Sequence, residues 1–119
     1  MNDSYLSIGS NLFDRFENIT LCIKKIKLNN FQIIKKSSIY ETEPIGNIDQ
    51  NFFYNIVLHI QTTYALIDFF KVTKEIEFEM GRKLDSRKNY PRIIDIDILT
   101  FSDTIINNIL TELEINPIG

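Results

Sequence analysis

The sequence predicts an α+β sandwich in which an antiparallel sheet carries its helices on one face and leaves the other face open. Two segments repeat apolar residues every three or four positions, as amphipathic helices do. Four segments are rich in β-branched and aromatic residues, which is typical of strands. These segments follow one another in the order βαββαβ, which is the split pattern of a ferredoxin-like sandwich.

The first half of the chain provides two strands and one helix. Residues 5–8 predict a strand. Residues 13–28 predict a helix, and its apolar stripe consists of Phe13, Phe16, Ile19, Ile23 and Ile26. The Asn29-Asn30 pair ends this helix. Residues 31–42 then predict one long strand, which ends before Glu43-Pro44 because proline restricts the residue that precedes it.

The second half provides a strand, a helix and a strand. After a loop over residues 44–51, residues 52–61 predict a strand, and its apolar face consists of Phe52, Tyr54, Ile56, Leu58 and Ile60. The apolar stripe of the second helix consists of Leu66, Phe69, Phe70, Thr73, Ile76 and Met80, and Gly81 ends this helix. A polar loop over residues 82–91 precedes a strand over residues 93–101. Residues 105–106 predict a further short strand.

The composition narrows the class of protein. The 119 residues are enough for one domain over 1–119 with its own core, and 44% apolar content argues against disorder. The net charge of −3 and the lack of a long basic tract argue against nucleic-acid binding. Cys22 is alone, so we interpret it as a packing residue in a reducing compartment. With no signal peptide and no apolar run long enough for a membrane span, we expect a cytoplasmic protein that contacts no membrane.

The last predicted strand contains two aspartates that point the same way. Strand side chains alternate, so Asp95 and Asp97 share a face inside an otherwise apolar segment. Like charges on one face repel each other unless a cation lies between them. A hard divalent cation, held by the two carboxylates and by substrate phosphates, would remove this repulsion. The alternative at this point is an edge strand with a solvated face.

Arginine is concentrated just before these aspartates. Lysine outnumbers arginine nine to four in this chain, yet Arg82, Arg87 and Arg92 fall within eleven positions. The forked, permanently charged guanidinium is well suited to phosphate, although a solvated loop would also account for the cluster. With four glycines the chain has no Gly-rich phosphate loop, so a bound triphosphate would depend on cations and arginines.

The third predicted strand places an aromatic ring and an amide on the open face of the sheet. Phe53 and Asn55 lie two residues apart there, and such a pair suits a flat heterocycle that the ring stacks on and the amide hydrogen-bonds. The alternative is that Phe53 packs under a loop and Asn55 forms a local turn. His59 lies further along the same face, and we interpret it as structural.

Together these residues resemble the 6-hydroxymethyl-7,8-dihydropterin pyrophosphokinase family of folate biosynthesis. The resemblance covers Tyr5 to about Ile106, and its specificity comes from the order and spacing of several short motifs. The motifs are Ile8–Leu12, Ser37–Gly46, Gln50, Phe53–Asn55, Ile76-Glu77, Gly81-Arg82 and Pro91–Leu99.

The resemblance implies transfer of diphosphate from ATP to the pterin hydroxymethyl group, with AMP released and Mg²⁺ required. It implies that Asp95 and Asp97 ligate two magnesium ions and act with Arg82 and Arg92 in catalysis. The implied pterin pocket consists of Thr42, Pro44, Ile45, Gly46, Phe53 and Asn55. The implied nucleotide contacts are Glu77, Arg82, Arg87, Lys88, Arg92 and Ile98.

The chain also departs from the family pattern. Other members carry an arginine and then an Arg-Trp pair before a Gly-Pro-Arg motif, and the corresponding places here hold Leu84, Lys88, Asn89 and Tyr90. Arg87 is a candidate substitute for the missing arginine. The stretch over residues 110–114 departs as well, so we expect missing adenosine contacts and weak, poorly selective nucleotide binding. Two alternatives remain: a non-catalytic pterin-binding remnant, and a palm-like two-metal nucleotidyl transferase, which would need more chain. The sequence lacks the aromatic signature of an RNA-binding βαββαβ domain.

Overall fold

The computed structural model describes residues 1–44, 51–81 and 91–106, and the strands and helices in these ranges follow the predicted order. They are β1 Asn2–Ser10, α1 Arg15–Leu28, β2 Gln32–Lys36, β3 Tyr40–Thr42, β4 Phe53–Thr62, α2 Leu66–Glu79, β5 Asp95–Phe101 and β6 Thr104–Ile105. None of the helices in these ranges is long and apolar enough to cross a membrane.

The strands form one antiparallel sheet in the order β2-β4-β1-β5-β6, with β3 paired to the start of β4. The central strand β1 pairs with β4 from Asn2 to Ser10 and with β5 from Ser4 to Gly9. Both helices pack on one face, α1 against β1 and β4 and α2 against β5. The predicted α+β ferredoxin-like sandwich with helices on one sheet face is therefore confirmed.

The core lies between this sheet face and the helices. Leu6 and Ile8 of β1 are fully buried, and their register partners on β4 and β5 are buried as well: Ile56, Leu58, Ile96 and Ile98. The alternate residues of the same strands point to the opposite face because side chains alternate along a strand. We call this opposite side the open face; it carries Ser7, Gly9, Phe53, Asn55, Val57, Asp95 and Asp97.

Helix α1 begins later than predicted. Asp14 caps it by accepting a hydrogen bond from the Glu17 N–H at 3.0 Å, which is a common way to satisfy the first turn. Ile19, Cys22 and Ile26 are its buried residues, so Cys22 packs as predicted. The assignment of Phe13 to the apolar stripe is wrong, because Phe13 precedes the helix. Phe16 lies in the exposed first turn, so its place in the stripe is wrong too.

The single strand predicted over residues 31–42 is two strands. The register against β4 shifts between Ile33 and Lys35, and the pairing as a strand resumes only at Tyr40. Between them, the Ser37 hydroxyl accepts the Val57 N–H at 2.8 Å, while the Ser37 N–H donates to the Val57 carbonyl at 2.9 Å. A side chain thus replaces a backbone carbonyl in the ladder, which the β-branched content could not indicate.

Helix α2 matches its prediction closely. Phe69, Thr73 and Ile76 are buried in it. Gly81 follows the helix with φ of 102°, a conformation that favours glycine and explains why the helix ends there. On β4, Ile56, Leu58 and Ile60 form the predicted apolar face, but Phe52 precedes the strand and is exposed, so its place on that face is wrong.

Candidate active site

The open face brings the two predicted halves of the site onto β4 and β5, the two strands that flank the central strand β1. Asp95 on β5 is the register partner of Gly9 on β1, and Gly9 is the partner of Asn55 on β4. Two residues away along each strand, the next row of this face consists of Asp97, Ser7 and Val57. Because neighbouring strands lie about 4.8 Å apart, the Cα atoms of Asp95 and Asn55 are separated by about 10 Å. The carboxylate pair and the amide therefore face the same space.

Asp95 and Asp97 are placed as the strand pattern predicts. Ile96 between them is buried on the helix face, while Asp95 is partly exposed and Asp97 is exposed. Alternate residues of a strand lie about 6.7 Å apart, so both carboxylates can reach one group of ions. The Arg92 Nη1 lies 3.7 Å from the Asp95 Oδ1. Two carboxylates with an open side form the donor set that Mg²⁺ takes when substrate phosphates complete its coordination.

Within the described residues, no group of three or more His, Cys, Asp and Glu side chains could hold a metal ion by itself. The candidate donors for a cation at this end of the open face are the Asp95 and Asp97 carboxylates. A cation held by these two groups needs further oxygen ligands from substrate or water, which is the usual arrangement for Mg²⁺ at phosphoryl-transfer sites.

Glu77 supports β5 from the helix side. Its side chain is buried, and its Oε2 accepts the N–H of Ile96 at 2.6 Å. Its Oε1 pairs with the Lys74 ammonium at 3.1 Å. The backbone between the two aspartates is therefore anchored to α2 by a charged acceptor, and such hydrogen bonds are the stronger kind.

Asn11 joins the Arg92 segment to the segment before β4. Its Oδ1 accepts the Arg92 N–H at 2.7 Å, and its own N–H donates to the Arg92 carbonyl at 3.1 Å. Its Nδ2 donates to the Asn51 carbonyl at 3.1 Å. Asn11 belongs to the Ile8–Leu12 motif, and no role was predicted for it from the sequence. Its position directly after β1 and its full burial are the features that identify it.

The predicted pterin side is formed by β3 and β4. Thr42 is the register partner of Phe53, and its hydroxyl accepts a hydrogen bond from Nδ2 of Asn55 at 2.6 Å. Phe53 and Asn55 are half-buried, and Pro44 follows Thr42 by two residues and is also half-buried. Thr42, Phe53 and Asn55 thus lie together, whereas Ile45 and Gly46 fall outside the described residues.

Several predicted nucleotide residues cannot be placed on this face. Arg82, Arg87 and Lys88 lie outside the described residues. Ile98 buries its side chain in the core at 3% exposure, so only its backbone is available to a ligand. His59 stacks on Tyr5 with ring centroids 4.7 Å apart, and its Nε2 lies 2.8 Å from the Asp3 Oδ1. These contacts support the structural interpretation of His59. The hydrogen bonds from His59 and Gln61 lower the pKa of Asp3.

Comparison with known proteins identifies a matching family. The family model of 7,8-dihydro-6-hydroxymethylpterin-pyrophosphokinase matches residues 5–115, which extends past the Pro91–Leu99 motif. A Bacillus subtilis protein named 2-amino-4-hydroxy-6-hydroxymethyldihydropteridine pyrophosphokinase is 36% identical over 117 residues, covering 98% of this chain and 68% of that protein. An Aquifex aeolicus protein of the same name is 37% identical, covering 92% of this chain and 67% of its own length.

A longer relative matches as well. The folic acid synthesis protein FOL1 of Dictyostelium discoideum is 39% identical over 105 residues, covering 88% of this chain and 16% of that protein. The chain therefore spans about a sixth of that relative and about two thirds of the two bacterial proteins. The family resemblance that the motifs indicated is confirmed.

Proposed function

We propose, since this chain belongs to the 7,8-dihydro-6-hydroxymethylpterin-pyrophosphokinase family, that it transfers the diphosphoryl group of ATP to 6-hydroxymethyl-7,8-dihydropterin. In this reaction the hydroxymethyl oxygen attacks the β-phosphorus, the bond between the α,β-bridging oxygen and that phosphorus breaks, and AMP leaves. The family match favours this function over the palm-like nucleotidyl transferase and the non-catalytic remnant.

One observation carries the proposal. The row of Asp95, Gly9 and Asn55 crosses three strands of the open face, with a carboxylate at one end and the amide at the other. Between them Gly9 presents no side chain. A pterin on Asn55 and a triphosphate at Asp95 would therefore meet over β1. Holding two reactants at this separation in a fixed orientation is the main contribution a phosphoryl-transfer site makes.

The pterin half of the site has the groups that a flat heterocycle needs. The Phe53 ring supplies a stacking surface, which contributes about 0.5–1.5 kcal/mol beyond simple burial. The Asn55 amide can hydrogen-bond the polar edge of the pterin. The bond from Asn55 to Thr42 fixes the orientation of the amide before the substrate binds. We assign Thr42, Pro44, Ile45, Gly46, Phe53 and Asn55 to the pterin pocket.

The phosphate half combines acidic and basic groups. We assign two Mg²⁺ ions to Asp95 and Asp97; when bound, they neutralise charge on the phosphates and fix their orientation. Arg92 lies beside Asp95, where its guanidinium reaches the same phosphates, and Asn11 holds its backbone. We assign Arg82, Arg87 and Lys88 to the nucleotide as well, with Ile98 contributing backbone groups and Glu77 holding β5.

We also propose that the protein works in the cytoplasm. Cys22 is free and buried, and burial raises the pKa of its thiol to about 12, so it stays a protonated packing group. A single cysteine of this kind needs no oxidising compartment.

Release of AMP tests the proposal directly. The full chain is incubated with ATP and Mg²⁺, with and without the hydroxymethyl pterin, and AMP and pyrophosphate are quantified. We expect AMP only when pterin is present, and loss of the reaction when EDTA removes the metal. Pterin binding without AMP would support the non-catalytic alternative. Pyrophosphate release with incorporation of a nucleotide would support the palm-like one.

A further inference from the structure

Arg15 lies far in sequence from the other three arginines of the chain, in which lysine outnumbers arginine nine to four. It is the first residue of α1. A cation at a helix N-terminus is disfavoured by the helix dipole, by about 0.3–1 kcal/mol. Stabilising the helix therefore does not explain an arginine at this position, and its contacts must do so.

Those contacts go to β3, to β4 and to the residue directly before β4. The Arg15 Nη1 lies 3.0 Å from the Glu41 Oε2 on β3 and donates to the Phe52 carbonyl at 2.8 Å. The Arg15 guanidinium carbon lies 3.8 Å from the ring centroid of Tyr54 on β4. The side chain is 24% exposed, so these interactions are partly shielded from water.

The same two strands carry the proposed pterin residues on their other side. Glu41 is the register partner of Tyr54, and partners across two strands share a face. The next pair, Thr42 and Phe53, points to the opposite, open face because side chains alternate. Arg15 thus contacts the helix-side face of β3 and β4, and the opposite, open face of these strands carries the Phe53 ring and the Asn55 amide.

We infer that Arg15 is a positioning residue for the pterin, which it affects through β3 and β4 without touching the substrate. This inference rests on the proposed function. The contact to the Phe52 carbonyl fixes the backbone directly before Phe53, and the contact to Glu41 fixes the residue directly before Thr42.

Lysine could not replace Arg15 fully. The planar guanidinium donates to a carboxylate and a carbonyl in its own plane while its face stacks on an aromatic ring. A lysine ammonium is a point charge that can keep the Glu41 pair but loses the flat stack on Tyr54. An Arg15→Lys variant should therefore recover part of what an Arg15→Met variant loses.

Lys25 provides a matched control. It lies on the same helix, pairs with Glu79 of α2 at 3.1 Å and has a side chain 27% exposed, which is close to the value for Arg15. The Lys25→Met variant thus removes an ion pair of the same kind without a described contact to β3 or β4. Any general effect of losing such a pair on α1 should appear in both variants.

The experiment measures KM for pterin, KM for ATP and kcat in the wild type and in Arg15→Met, Arg15→Lys and Lys25→Met, with the pterin Kd measured by calorimetry. We expect Arg15→Met to raise the pterin KM and Kd about tenfold, because the residues directly before Thr42 and Phe53 lose the contacts that fix their position. The ATP KM should stay within about twofold in every variant, Arg15→Lys should be intermediate, and Lys25→Met should match the wild type.

Equal pterin Kd values in wild type and Arg15→Met would overturn this inference and leave the proposed function standing. A parallel rise of both KM values would also overturn it, because that indicates general disturbance of the sheet. Absence of pterin binding in the wild type would overturn the proposed function itself. If Arg15→Met does not fold, a pterin Kd for Arg15→Lys equal to that of Lys25→Met overturns the inference.

Discussion

Gly9 and Asn55 are partners across β1 and β4, and the Asn55 side chain lies over the space that a Cβ at position 9 would need. A Cβ built on Gly9 would lie 2.7 Å from the Asn55 Oδ1 and 3.3 Å from the Phe53 Cδ1. Glycine is required here for space and not for an unusual backbone conformation. The missing side chain lets the amide and the ring lie close to the central strand, towards Asp95.

Replacing Gly9 with alanine should therefore weaken pterin binding. The new methyl group displaces the Asn55 amide, and this also breaks its 2.6 Å bond to Thr42. We expect the pterin Kd to rise about tenfold, the equivalent of one polar contact, while ATP affinity is retained. Calorimetric titration of each ligand measures both values.

A double-mutant cycle checks that the effect passes through Asn55. In Asn55→Ala the group that the methyl would displace is absent, so adding Gly9→Ala should cost little more. Fully additive losses in the double variant would contradict the explanation, since they would show that alanine at position 9 disturbs β1 itself.

The second prediction concerns the carboxylate pair of Asp95 and Asp97. Asp97→Asn keeps the shape of the side chain but removes one of the two charges available to the cations. We expect Mg²⁺-dependent nucleotide binding and turnover to fall more than about 100-fold, because changes beyond the direct ligands already cost about 10–100-fold. Stability should be unchanged or slightly higher, since repulsion between like charges on one face is relieved.

Asp103→Asn is the control for this change. Asp103 is exposed in the turn between β5 and β6, so its replacement removes the same charge away from the open face. Turnover and urea unfolding of the three proteins are compared. A wild-type rate in Asp97→Asn, or an equal loss in both variants, would be inconsistent with the metal assignment.

The third prediction is that Glu77 contributes both to the stability of the fold and to nucleotide affinity. Glu77→Ala leaves the buried N–H of Ile96 without this acceptor, which should lower the free energy of unfolding by about 1–3 kcal/mol. Because Ile96 lies between the two aspartates, Mg²⁺-dependent nucleotide affinity should fall as well. Urea unfolding and nucleotide titration measure the two effects.

Two further variants separate the roles of Glu77. Glu77→Gln keeps an acceptor oxygen for Ile96, so its loss of stability should be smaller. Lys74→Met removes the ion pair with Glu77 and the contact of the Lys74 ammonium with the Phe70 ring but leaves the Ile96 bond in place, so its change in stability isolates the contribution of the Lys74 side chain. If Glu77→Gln retained full stability but lost nucleotide affinity as Glu77→Ala does, Glu77 would contact the nucleotide directly and its support of β5 would be secondary.

Sequence reasoning predicted the fold because the elements that build it have strong local patterns. The alternation in β4 and the helical spacing in α2 placed Leu58 and Ile76 on apolar faces, and both are buried. Asp95 and Asp97 were predicted to share a face from the period of the strand alone. Each of these conclusions needed only the residues of one element.

The missed features depend on contacts between distant segments. Asn11 bridges Arg92 and Asn51, which are 81 and 40 positions away, and nothing local to Asn11 indicates these partners. Arg15 reaches Glu41 and Phe52 in the same way. Glu77 was predicted to bind nucleotide, and its bond to the Ile96 N–H becomes apparent only when α2 is packed against β5.

The last prediction concerns the backbone conformation of Phe13. It has φ of 59° and is 76% exposed in the turn between β1 and α1. The left-handed conformation is costly for a residue with a Cβ, by about 1–2 kcal/mol, and the exposed ring recovers little of this by burial. We therefore expect Phe13→Gly to raise the free energy of unfolding by about 1 kcal/mol, measured by urea denaturation. Phe13→Ala removes the same ring but retains the Cβ, so it should stay within about 0.5 kcal/mol of the wild type. The difference between the two variants isolates the backbone, and equal stability of both would mean that residue 13 does not hold a positive φ in solution.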